Sequence, residues 1–149
     1  MTTADEIVRW VDHLAASDAT DDEVLRGAVR ILQQEREHYD WVGIYLLEGD
    51  TLVLHNYVGK STEHTRIPVG VGVCGAAVAD GENKVVGDVT KLDNYLACSL
   101  ETRAEIVVLI RQGHEILGQI DIDSDIENAF TAEDETLLSR VAYVVAQRL

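Results

Sequence analysis

Apolar residues Ile7, Val8, Val11 and Leu14 recur every three or four positions between Thr3 and Leu14, the period of one helix face, and predict an amphipathic N-terminal helix. A second helical run starts at Asp21 and continues through Val24, Leu25, Ala28, Val29, Ile31 and Leu32. Thr20 stands where its N-cap belongs, and Glu23 completes a capping box. The period then falls to two. In "YDWVGIYLLEGDTLVLHNYVG" two β-rich segments flank "EGD", a hairpin signal. A loop ending in "TRIPVGVG" carries the only proline, Pro68; "VCGAAVADGE" predicts a short helix ending near Gly81, and "NKVVGD" a strand. The turn-rich "VTKLDNYLACSLETRA" precedes "EIVVLIRQGHEILGQIDIDSD", a second hairpin with its tip at "RQGHE". The closing "TAEDETLLSRVAYVVAQRL" predicts a helix capped by Thr131. Acids fill its first turn, where the dipole favours them, and Leu137, Leu138, Val141 and Val144 form its apolar stripe. Helices at both ends with antiparallel strand pairs between them indicate an α+β fold.

A length of 149 residues suits one domain over 1–149, and no repeat or linker divides it. Twenty-seven acidic residues against twelve basic ones give a formal charge of -15, which opposes binding to nucleic acid or anionic lipid. Lysine occurs only at Lys60, Lys84 and Lys91, an acid-rich, lysine-poor balance that resembles proteins of salt-adapted, halophilic cells, with an ordinary acidic bacterial protein as the alternative. The N-terminus lacks the basic and apolar regions of a signal peptide, and no stretch is apolar enough to span a bilayer. A cytoplasmic location is therefore expected, where a disulfide is more often catalytic than structural.

Spacing argues against a metal site. Neither cysteine belongs to a C-x-x-C pair, His13, His38, His55, His64 and His114 are scattered, and "DIDSD" lacks the glycine and distal glutamate of a calcium loop. On a strand, Gln119, Asp121 and Asp123 point away from Ile120 and Ile122, so the acids share a face that is either solvated or one wall of a pocket. Glu105 adds a third carboxylate if the hairpin closes, and clustered acids attract a cation such as a free amino group. Trp41, Gly43 and Tyr45 share a face opposite Val42, Ile44 and Leu46; it is either a sheet surface under a helix or an aromatic wall for a small apolar or sulfur-bearing ligand. Burial is the default for Cys74, between valine and glycine. Cys98, in polar surroundings, is the better candidate for a reactive thiol at a cleft.

In order and spacing, "YDWVGIYLL", "TRIPVGVGVCGAAVADGE", "YLACSLETRAEIVV", "LGQIDIDSD" and "FTAEDETLL" resemble the free methionine-(R)-sulfoxide reductases, small stand-alone GAF-domain enzymes. The resemblance implies a central antiparallel sheet with helices on both sides, a homodimer, no bound cofactor, and an enclosed pocket for free methionine sulfoxide. It makes Cys98 the nucleophile, and Glu105, Asp121 and Asp123 the groups that hold the amino group and help protonate the sulfoxide oxygen. Trp41 and Tyr45 would wall in the methyl end. The expected reductant is a thioredoxin-like dithiol or a low-molecular-weight thiol. The chain departs from the family pattern at two positions. His64 stands where a resolving cysteine is usual, and Ser99 follows the nucleophile where aspartate is common. Cys74 is then the one internal candidate to resolve a sulfenic acid; otherwise a small thiol acts directly. A non-catalytic GAF sensor module is the alternative reading.

Overall fold

The computed structural model describes residues 2–93, 95 and 99–149. Helices α1 (Ala4–Ala15) and α2 (Asp21–Glu35) lead into a β1 (Trp41–Glu48) and β2 (Thr51–Val58) hairpin. β3 (Arg66–Pro68), α3 (Gly72–Asp80) and β4 (Lys84–Val86) follow, then the β5 (Ala104–Gln112) and β6 (Glu115–Ser124) hairpin and α4 (Ala132–Ala146). The strands form one antiparallel sheet in the order β3-β2-β1-β6-β5-β4.

The predicted elements form for local reasons. At α2, Thr20 Oγ1 accepts from Glu23 N–H at 3.1 Å, while the Glu23 carboxylate accepts from Thr20 N–H at 3.1 Å. Thr3 and Glu6 build the same box on α1, a signature the apolar period had overshadowed. β3 is the one strand not foreseen. It is three residues long, too short to show alternation, and Pro68 closes it at the sheet edge, where a missing N–H is tolerated.

Strand alternation divides the interior in two. Val42, Ile44, Ile106, Val108, Ile110, Ile120 and Ile122 face α1, α2 and α4 in the larger core. Trp41, Tyr45, Val107 and Leu109 face the other way, with Cys74 and Ala77 of α3 packed over them. Helices therefore lie on both sides of the sheet. Among the described residues no helix is long and apolar enough to cross a membrane.

Candidate functional site

The register of the three central strands assembles the face under α3. Trp41 pairs with Asp123, which pairs with Glu105; Gly43 pairs with Asp121, which pairs with Val107; Tyr45 pairs with Gln119, which pairs with Leu109. The three acids thus fall on neighbouring positions of adjacent strands. They are not solvated: Glu105 is 5%, Asp121 1% and Asp123 2% exposed. This settles what alternation left open, because a carboxylate face this deeply buried is a wall and not an outer surface.

Glycines let α3 cover it. Gly72 opens the helix at φ 65, in the left-handed region. A Cβ on Gly75 would lie 2.5 Å from the Pro68 carbonyl oxygen, so only glycine lets this turn sit against β3. Cys74 is thereby pressed down onto the acids, with Sγ 3.8 Å from Glu105 Oε2, and its carbonyl accepts from Gln119 Nε2 at 3.0 Å. Gln119 was legible only as a member of the alternating face; its hold on the α3 backbone is a structural finding.

Tyr45, His64, Ile67, Gly72, Val73, Cys74, Glu105 and Asp121 line a cavity of about 10 Å³, room for one water molecule. No lysine or arginine is among them. Burial raises the Asp121 pKa, with hydrogen bonding to Glu105 and Cys74 working against it. Burial, then the charges of Asp121 and Glu105, push the Cys74 thiol well up, so it is protonated at neutral pH. Asp121 Oδ1 and Gln119 Oε1 are buried without a hydrogen-bond partner. The ligand atoms of Cys74, Glu105 and Asp121 lie within 4.8 Å of one another, a grouping able to hold a metal ion. Sequence spacing could not reveal this trio, because α3, β5 and β6 each supply one member.

The aromatic residues separate. Tyr45 lines the cavity and donates to the His64 carbonyl at 2.7 Å, tying the loop at His64 to β1. Trp41 shares the face but does not line the cavity. Its ring stacks on Tyr57 at 5.5 Å and 17°, and Nε1 donates to the Lys60 carbonyl at 3.1 Å. Tyr57, opposite Gly43 on β2, was not singled out from the sequence. A Cβ on Gly43 would sit 2.4 Å from the Trp41 ring, so Gly43→Ala displaces the indole from its stack. The expected loss is about 1–3 kcal/mol of stability, measured by urea denaturation. Cys98 lies outside the described residues.

Comparison with known proteins gives a consistent result. The GAF domain family profile matches residues 22–149. The chain is 43% identical over 105 residues to free methionine-R-sulfoxide reductase of Escherichia coli K12, a match covering 70% of this chain and 63% of that protein. It thus spans a little under two thirds of that relative's length. The type II free methionine-R-sulfoxide reductase from Thermoplasma acidophilum superposes with TM-score 0.83 at 38% identity, over 93% of this chain and 94% of that one. The Neisseria meningitidis free methionine-R-sulfoxide reductase, solved in complex with its substrate, superposes with TM-score 0.91 at 33% identity, over 97% of this chain and 87% of that one. The chain belongs to the GAF domain family and, within it, to the free methionine-R-sulfoxide reductase group.

Proposed function

We propose that the protein reduces free L-methionine-(R)-sulfoxide to methionine, with Cys98 as nucleophile and the cavity between α3 and the sheet as the amino-acid site. One observation carries this reading. Glu105, Asp121 and Asp123 are buried together on one face, and among the described residues no lysine or arginine lines the cavity. A buried acid is neutralised by a proton or paired with a cation, and beside a protonated Asp121 the ammonium group of a free amino acid supplies the cation for the other two. The cavity is smaller than methionine sulfoxide, so occupancy moves the lining side chains apart.

In this account the Cys98 thiolate attacks the sulfoxide sulfur and Asp121 delivers a proton to the oxygen. The hydroxyl then passes from the substrate sulfur to Cys98 Sγ as the transient Sγ–S bond and the substrate S–O bond break, so that methionine leaves as the thioether and Cys98 is left as a sulfenic acid. Burial holds the Asp121 proton toward neutral pH, as a donor requires. Glu105 in the cavity lining remains to face the ammonium, with Asp123, which pairs with it across β5 and β6 and is not part of the lining, adding its charge from behind. Two external thiols then return Cys98 to the thiol, forming their own disulfide and water. Cys74 does not resolve the sulfenic acid in this scheme, because its raised pKa leaves almost none of the attacking thiolate. A dithiol of the thioredoxin type, or a small thiol, acts directly, and no bound cofactor takes part.

The test is methionine release from free L-methionine-(R)-sulfoxide in high salt with excess dithiothreitol. Activity is expected in the parent and in Cys74→Ser, and at least 10³-fold less in Cys98→Ser. Absence of release from folded parent protein would leave a ligand-binding module instead.

A further inference from the structure

The trio beneath α3 is more than an acidic patch. Cys74 brings a sulfur ligand from the helix, Glu105 and Asp121 bring oxygens from adjacent strands, and all three side chains are buried. Zinc bonds of about 2.3 Å to sulfur and 2.0–2.2 Å to oxygen place tetrahedral ligands roughly 3.5 Å apart. The Cys74 Sγ to Glu105 Oε2 distance, 3.8 Å, is close to that already, and the whole trio lies within 4.8 Å. Asp121 Oδ1 is a second, independent pointer: it is buried, it has no hydrogen-bond partner, and its residue lines the cavity. That cavity, about 10 Å³, provides a water-sized fourth position.

We propose that Cys74, Glu105 and Asp121 form a site for a thiophilic divalent cation of the zinc class, and that this cation and the ammonium of the amino-acid substrate exclude one another. A thiolate ligand selects zinc-like ions over magnesium or calcium. Binding transfers the Cys74 proton to solvent as the sulfur–metal bond forms, and the ion's own charge stabilises the thiolate where the neighbouring acids alone disfavour it. The mutual exclusion rests on the reductase reading; the metal site does not.

Cobalt(II) is the probe, in full-length Cys98→Ser protein, so that Cys74 is the only thiol. The expected result is a thiolate-to-cobalt charge-transfer band that zinc abolishes, is lost in Cys98→Ser/Cys74→Ala, and needs at least tenfold more cobalt in Cys98→Ser/Asp121→Asn. With a phosphine in place of a chelating dithiol, zinc is expected to raise the parent's KM for methionine sulfoxide and leave kcat unchanged. No band in Cys98→Ser, or a band that survives loss of Cys74, overturns the site even if the parent is an active reductase. A band with this variant pattern in a protein without reductase activity supports the site and sinks the enzyme reading alone. An active reductase that keeps its KM at saturating zinc overturns the exclusion.

Discussion

Asp121→Asn lowers kcat for free methionine-(R)-sulfoxide by about 10²- to 10⁴-fold, the span expected when a positioned proton donor is removed. Asparagine keeps the shape and can still hydrogen-bond to Cys74 and Glu105, but it has no acidic proton to give. KM moves much less, because Glu105 still faces the ammonium and Asp123 still adds its charge from behind. Stability is expected to change in the opposite direction. Burial raises the folded-state pKa of Asp121, so above the ordinary carboxylate range the native state binds more protons than the unfolded chain. Stability from this group is complete below the unfolded pKa and is lost as pH rises through the folded one. Asp121→Asn removes that loss, so its urea midpoint at neutral pH exceeds the parent's and falls less between acid and neutral pH. Parent-like kcat in the variant would remove Asp121 from the role of proton donor.

The second large effect lies on the opposite side of the sheet. Asp134→Ala is expected to destabilise the fold by about 2–4 kcal/mol while leaving activity per folded molecule unchanged. Asp134 Oδ1 accepts from the Tyr39 hydroxyl at 2.6 Å and lies 3.2 Å from His38 Nε2, while Oδ2 accepts from the Thr131 N–H at 2.8 Å at the start of α4. Alanine leaves the buried Tyr39 hydroxyl without this acceptor and opens the α4 cap. Burial raises the Asp134 pKa, but the hydrogen bonds from Tyr39, Thr131 and His38 outweigh it and the net shift is downward. A lowered acid contributes stability above its unfolded pKa, about 4, and loses it as pH falls through the folded value. The gap between parent and variant is therefore widest near neutral pH and narrows in strong acid. Denaturant titrations at several pH values measure it, and an unchanging gap would show that the carboxylate charge is not what matters.

These predictions draw unequally on the sequence. The period of two placed Asp121 and Asp123 on one face and Trp41 and Tyr45 on one face, because strand geometry is local. Their burial was not local. It depends on α3, seated through the close approach of Gly75 to Pro68, and a sequence pattern does not show which helix covers which sheet face. Tyr39 illustrates the same limit. In the chain it stands close to Trp41 and Tyr45, yet it lies before β1 begins and joins Phe130 and Asp134 on the helix side. Its partner Asp134 is 95 positions away, beyond the reach of periodicity. Likewise, spacing rules for zinc read neighbours in the chain, whereas Cys74, Glu105 and Asp121 become neighbours only when α3 docks on the β5 and β6 pair.

Recognition of a free amino acid's ammonium group by the buried carboxylates is tested most directly with N-acetyl-L-methionine-(R)-sulfoxide. The acetylated compound keeps the sulfoxide, the side chain and the carboxylate, and replaces the ammonium with a neutral and bulkier acetamide. Measured beside free L-methionine-(R)-sulfoxide with dithiothreitol, its kcat/KM is expected to fall at least 10³-fold, since a buried acid cluster facing a neutral amide is left uncompensated. Equal kcat/KM for the two compounds would contradict this recognition, because Glu105 and Asp123 would then have no ammonium to hold.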